Sequence, residues 1–160
     1  MDDFDFYRIY KTLHVLFVIA MGGGIAIETV IGPMMVRAKS VQELRAYTKL
    51  SRIAENYIIL PATIIVIGFG YATAGRLNIE LDTPWLLIAQ ILTFIALALG
   101  VFYLRTAALK IDKIANETPD GPVPAAVMEH MKNPGPPIVG ATLTLIFVFI
   151  VYLMVFKPNW

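Results

Sequence analysis

The sequence lacks cysteine and contains two histidines, His14 and His130. Without cysteine, the chain can form no disulfide, hold no iron–sulfur cluster, attach no haem through a CxxCH motif and build no thiolate zinc site. Two histidines are too few for a metal site made of several histidines within one chain. Charged residues are also scarce, at 16% of the chain, and the net charge of +1 argues against a nucleic-acid partner.

The motifs of the common hydrolases and nucleotide-binding enzymes are absent as well. The sequence contains no GxSxG, no HExxH and no P-loop. It therefore gives no sign of nucleophilic, metal-hydrolytic or phosphoryl-transfer chemistry, and we predict no catalytic residue. Whether the protein is an enzyme stays open at this point.

Apolar residues are abundant, because they make up 58% of the chain and the mean hydropathy is +0.69. Four stretches are long and apolar enough to cross a bilayer, residues 10–36, 57–75, 85–104 and 138–156. We therefore predict an all-α fold, a polytopic membrane protein in which residues 1–160 form one domain. Its architecture is expected to be an antiparallel bundle of four transmembrane helices surrounded by the lipid bilayer.

The distribution of Lys and Arg predicts the orientation. Nine of them flank or lie in the connections 37–56 and 105–137, whereas four lie on the other side of the membrane. The positive-inside rule then predicts both termini on the outer side of the inner (plasma) membrane and both long connections in the cytoplasm. Helical spacing within 41–56 indicates an extension of the second helix or an interfacial helix, and a short helix is expected near 125–132.

The first span carries ionisable groups that a plain membrane anchor does not need. At about 100° per residue, His14 and Glu28 share one helix face but lie about 21 Å apart along the axis. Glu28 is expected to pair with a basic residue of another helix. The run Gly22-Gly23-Gly24 lies between His14 and Glu28, and it allows a neighbouring helix or a flat cofactor to approach the backbone closely.

Polar groups of several spans are expected at the depth of His14, near the outer surface. His14 could ligate the iron of a b-type haem, with Met154 as a possible second axial ligand and Gln90 in the outer half of the third span. Lys11 and Arg76 would lie at the rim, where the haem propionates require cations. The alternative is that His14 hydrogen-bonds a neighbouring helix or lies among the headgroups. A second ligand could also come from a partner subunit or be absent.

The residues Lys-Thr-Leu-His14-Val, the three glycines, Pro61 in the second span and Pro84-Trp85-Leu86 opening the third resemble a group of small bacterial membrane proteins. The group contains the HemJ-type protoporphyrinogen oxidases, the membrane domain of the copper-resistance protein CopD and a related family of uncharacterised four-helix proteins. The resemblance to the HemJ-type enzymes implies haem binding by His14. It also implies a lysine early in the third helix, where this chain has Gln90.

Three functions follow as hypotheses. The first is haem binding through His14, in electron transfer or haem metabolism. The second is a non-catalytic accessory subunit, packed against other membrane subunits or against a second copy of the chain through small-residue faces such as Gly68, Ala72 and Gly75. The third is a small transporter that uses Glu28 as a proton carrier, although no inverted repeat is evident.

Overall fold

The computed structural model describes residues 3–158, which are all-α. Its helices are a first helix (Asp3–Val36), a second (Val41–Arg76), a third (Pro84–Glu117), a short helix (Ala125–Met131) and a fourth (Gly135–Phe156). Within residues 3–158, four helical segments are long and apolar enough to cross a membrane. The predicted all-α membrane architecture is therefore confirmed.

The helices extend beyond the predicted spans at one end of the bundle, formed by residues 37–56 and 105–137 and called the basic end below. The opposite end, where residues 3 and 158 and the loop 77–83 lie, is called the terminal end. Residues 41–56 continue into the second helix, as one of the two expectations had it, and the third helix continues to Glu117. Both helices measure more than 50 Å at ~1.5 Å per residue, well beyond the ~30 Å hydrocarbon layer.

Local sequence explains where the helices begin and end at the basic end. The Ser40 hydroxyl accepts a hydrogen bond from the Glu43 N–H at 3.2 Å, and the Glu43 carboxylate accepts one from the Lys39 N–H at 2.8 Å. This reciprocal cap satisfies two backbone donors at the start of the second helix. The fourth helix begins at Gly135, earlier than the predicted 138, because Pro136 and Pro137 are accommodated in its first turn.

The second and third helices each contain a π-helical stretch where the predicted hydrocarbon region meets the basic end. These stretches are Ala54–Ile59 and Leu99–Leu104. The stretch Ala54–Ile59 lies just before Pro61. Because proline has no N–H, one backbone hydrogen bond of the helix is missing there, next to the wider turns of the π-helix. Single π-turns are often found at functional sites, so residues beside these two stretches are candidates for a functional site.

The bundle consists of two antiparallel pairs. The first helix packs along the whole second helix, and the third packs on the fourth. Glycines allow the close approach of the first helix to its neighbours: a Cβ on Gly24 would lie 2.6 Å from Cγ1 of Ile59, and one on Gly22 would lie 3.1 Å from the Phe147 ring. The run of glycines thus serves helix packing, one of its two predicted uses.

Two apolar clusters hold the ends of the bundle. The cluster at the terminal end joins the second, third and fourth helices through Ala74, Trp85, Leu86, Ala89 and Leu153. The cluster at the basic end joins the start of the second helix, the end of the third and the short helix through Ala38, Leu44, Ala115 and Met131. Between these clusters most of the described spanning surface is exposed and apolar, as expected of helices in lipid.

Substituting Gly24 by alanine should destabilise the protein. The added methyl would lie inside the contact distance of the Ile59 side chain, and overpacking of this kind costs about 1–3 kcal/mol, which exceeds the ~1 kcal/mol gain in helix propensity. Gly23→Ala is the matched control because no heavy atom lies within 4 Å of its Cβ position. Thermal unfolding in detergent, followed by circular dichroism, should show a lower Tm for Gly24→Ala only. Equal Tm values would contradict the proposed close contact.

Candidate functional site

His14 lies between the first and second helices near the terminal end. Its Nδ1 is 2.9 Å from the backbone carbonyl oxygen of Val66. The carbonyl can only accept, so Nδ1 carries the proton and the lone pair of the neutral ring lies on Nε2. A Cβ on Gly70 would lie 3.2–3.3 Å from the imidazole, so the absence of a side chain at Gly70 makes room for the ring.

Aromatic rings lie on the same two helices as His14, towards the terminal end. The rings of Phe6 and Tyr10 on the first helix are 6.1 Å apart, and Tyr10 is 5.9 Å from Phe69 on the second. The two predicted rim cations also contact rings. Lys11 Nζ lies 5.6 Å from the centre of the Tyr7 ring, and the Arg76 guanidinium lies 5.3 Å from the centre of the Phe6 ring. Arg76 thus ties the end of the second helix to the start of the first.

Gln90 and Met154 are engaged away from His14. The Gln90 amide accepts a hydrogen bond from the Tyr71 hydroxyl at 2.9 Å and donates to the Leu81 carbonyl at 2.8 Å. It therefore joins the second helix, the loop 77–83 and the third helix. Met154 packs on the apolar cluster of the terminal end, between the third and fourth helices. Among residues 3–158, the hydrogen bonds of Gln90 go to Tyr71, Leu81 and Leu86 and not to His14.

The other ionisable group of the first helix, Glu28, lies near the basic end. Its Oε2 accepts a hydrogen bond from the Ser51 hydroxyl at 2.9 Å, while its buried Oε1 has no hydrogen-bond partner among the described residues. The prediction that Glu28 pairs with a basic residue is therefore wrong. Arg52 and Arg105, cations of the neighbouring helices, are engaged by Asp112 and Glu55 instead, which sequence spacing could not reveal.

Those carboxylates form ion pairs between the second and third helices. Arg105 lies 3.1 Å from Glu55 and donates to the Asn56 side-chain carbonyl at 2.8 Å. One turn further from the membrane, Arg52 lies 2.7 Å from Asp112, whose side chain is 11% exposed. Glu55 and Asn56 belong to one π-helical stretch and Arg105 directly follows the other. Sequence reasoning missed this group, because helical periodicity shows polar positions but not the π-turns that align them.

His130, the second histidine, lies in the last turn of the short helix and is exposed. A grouping of three or more His, Asp or Glu side chains able to hold a metal ion does not occur within residues 3–158.

A family model described as "Predicted integral membrane protein (DUF2269)" matches residues 8–158, which include all four membrane helices. No curated protein and no solved structure matches the chain.

Replacing Arg105 by methionine should destabilise the bundle, because Glu55 would keep its charge at a site where its side chain is 18% exposed. We expect the free energy of unfolding to fall by about 2 kcal/mol, which lies between the values for ion pairs at the surface and for fully buried ion pairs. Lys113→Met is the control, since its ion pair with Glu117 is 3.8 Å long and lies in water. Unfolding measurements in mixed micelles should show a larger loss of stability for Arg105→Met than for Lys113→Met. Similar losses of stability in both variants would contradict a structural role for Arg105.

Proposed function

The chain belongs to DUF2269, a family of predicted integral membrane proteins, and we propose that it binds one b-type haem in the membrane through Nε2 of His14. The observation that carries the proposal is the hydrogen bond from His14 Nδ1 to the Val66 carbonyl. Histidines that bind metals usually donate their other ring N–H to a carbonyl or carboxylate, which fixes the tautomer and the ring plane.

The surroundings of His14 fit a porphyrin in part. The rings of Phe6, Tyr10 and Phe69 offer an apolar, aromatic surface on the same pair of helices. Arg76, held against Phe6, supplies a cation at the level expected for a propionate. A bound haem would supply one-electron or porphyrin chemistry close to the membrane surface, in electron transfer or haem metabolism.

The second axial ligand has less support among residues 3–158. Met154 packs against the apolar cluster of the terminal end, and the Gln90 amide bonds to Tyr71 and Leu81. His14 is therefore the one axial ligand that the proposal takes from residues 3–158, and ligation by Met154 stays an untested prediction. A second copy or another membrane subunit would supply the sixth ligand, or the position would stay open for a substrate.

The test is an absorption spectrum of the detergent-purified protein, oxidised and then reduced with dithionite. We expect a Soret band that sharpens and gains α and β bands on reduction, and that is lost in His14→Ala. His130→Ala is the matched control, because it removes the other histidine at an exposed position. A flat spectrum after haem addition, or an unchanged spectrum in His14→Ala, would overturn the proposal.

A second candidate function is that of an accessory subunit, and the open glycines of the second helix favour it. A Cβ at Gly68 or Gly75 would meet no heavy atom within 4 Å, so this face carries small residues that pack against nothing else in residues 3–158. Small residues seven apart lie on one helix face and allow close contact between membrane helices. The proposed partner is a second copy of the chain or another membrane subunit.

Substitution of Gly68 by leucine should therefore weaken association. Gly140→Leu is the control, since Gly140 is equally open but lies on the fourth helix. Energy transfer between labelled copies in liposomes, with a tagged partner where one co-purifies, should fall for Gly68→Leu alone. A wild-type protein that stays monomeric and free of partners in liposomes would contradict this function.

A further inference from the structure

The basic end contains a cleft of about 410 Å³ between the second and third helices. Its walls carry three cations and one carboxylate together with amide and apolar groups. The lining residues that matter here are Arg45, Lys49, Arg52, Asn56, Tyr57 and Asp112. None of them belongs to the proposed haem site, which lies at the opposite end of the bundle.

Two of the cations in the cleft are already engaged. Arg45 lies 2.6 Å from Asp120 and also donates to the Ala115 carbonyl at 2.8 Å. Arg52 uses Nη1 to bind Asp112 at 2.7 Å, and its side chain remains 48% exposed. Its Nε and Nη2 donate no hydrogen bond within residues 3–158, so they are available to a ligand.

Lys49 gives the cleft its surplus positive charge. It is exposed, and it has no ion-pair partner among residues 3–158. Asn56 adds a donor, because its side-chain carbonyl accepts from Arg105 and its NH2 group remains. One excess positive charge with guanidinium and amide donors suits a singly charged phosphodiester.

The position of the cleft matches the depth of lipid headgroups. Tyr57, at its membrane side, is 78% exposed, and it begins the predicted second span. Lys49 lies eight residues earlier, ~12 Å along the axis. The headgroup layer occupies ~5–8 Å outside the hydrocarbon on each side, so the cleft spans this layer. The exposed Ile53 and Tyr57 would contact the glycerol and upper acyl chains.

We propose that this cleft binds the phosphodiester headgroup of an anionic phospholipid from the leaflet at the basic end. Lys49 and Arg52 contact the phosphate, Asn56 donates to it, and Tyr57 packs against the lipid below. Basic pockets between membrane helices on the cytoplasmic side are the usual places for such headgroups. The proposal is independent of haem binding, because no residue is shared between the two sites.

The test counts lipids retained by the purified protein in native mass spectra. Micelles contain either phosphatidylglycerol or phosphatidylcholine of the same acyl chains. We expect preferential retention of phosphatidylglycerol, reduced about fivefold in Lys49→Gln, the factor that one lysine contributes near a membrane surface. Lys110→Gln is the matched control: it removes the same charge at an exposed position on the same end, two residues before Asp112 and outside the cleft lining.

The outcomes separate the alternatives. Equal retention of both lipids, or equal losses in Lys49→Gln and Lys110→Gln, would overturn the proposal, because either result indicates general attraction to the charged end. Millimolar inorganic phosphate serves as the competitor. If it displaces phosphatidylglycerol from the wild-type protein, the cleft binds a soluble phosphate in preference to a lipid headgroup, and the proposal that a lipid is its ligand is overturned. If phosphate has no effect and Lys49→Gln alone loses the lipid, the proposal holds.

Discussion

A polar group inside a bilayer finds no water, so it must bond within the protein, and this constraint shapes the whole molecule. Threonine hydroxyls of the spans meet it locally, by donating to the carbonyl four residues earlier in their own helix. The threonines that do so at 2.7–3.1 Å are Thr29, Thr63, Thr73, Thr93, Thr142 and Thr144. Few polar side chains are left to reach between helices, and those that do define the candidate sites.

Hydropathy and basic-residue spacing were enough to predict the helices. The second and third helices continue past the predicted spans because residues 41–53 and 105–117 are amphipathic, and for the second helix the spacing within 41–56 indicated this extension as one of two alternatives. Which helices pack against each other was not visible in the sequence. That Gly24 contacts Ile59 and Gly22 contacts Phe147 depends on which faces meet, and a single sequence with several small-residue faces allows several arrangements.

The predicted haem site shows the same limit at the level of side chains. Distance along the helices places His14, Gln90 and Met154 at similar depths, and depth follows directly from counting residues. The rotation of each helix about its axis cannot be obtained by counting residues. In the structure, this rotation places Gln90 against Tyr71 and Met154 against an apolar cluster. His14 is the exception, because the face that it shares with Glu28 does meet the second helix. The Val66 carbonyl could not have been predicted, since every helical residue offers one.

The polar bonds also explain how the two helix pairs keep their register. Apolar contacts between helices gain little in lipid, because the tails are as apolar as the side chains. Across the middle of the bundle the pairs meet at contacts such as that of Phe147 with Gly22. Directional bonds between the second and third helices lie at both ends, with Tyr71 to Gln90 at one and Glu55 to Arg105 at the other. Since a shift of one helix turn is ~5.4 Å, it would break both bonds at once. These bonds therefore specify the register, while the glycine contacts set how closely the helices approach.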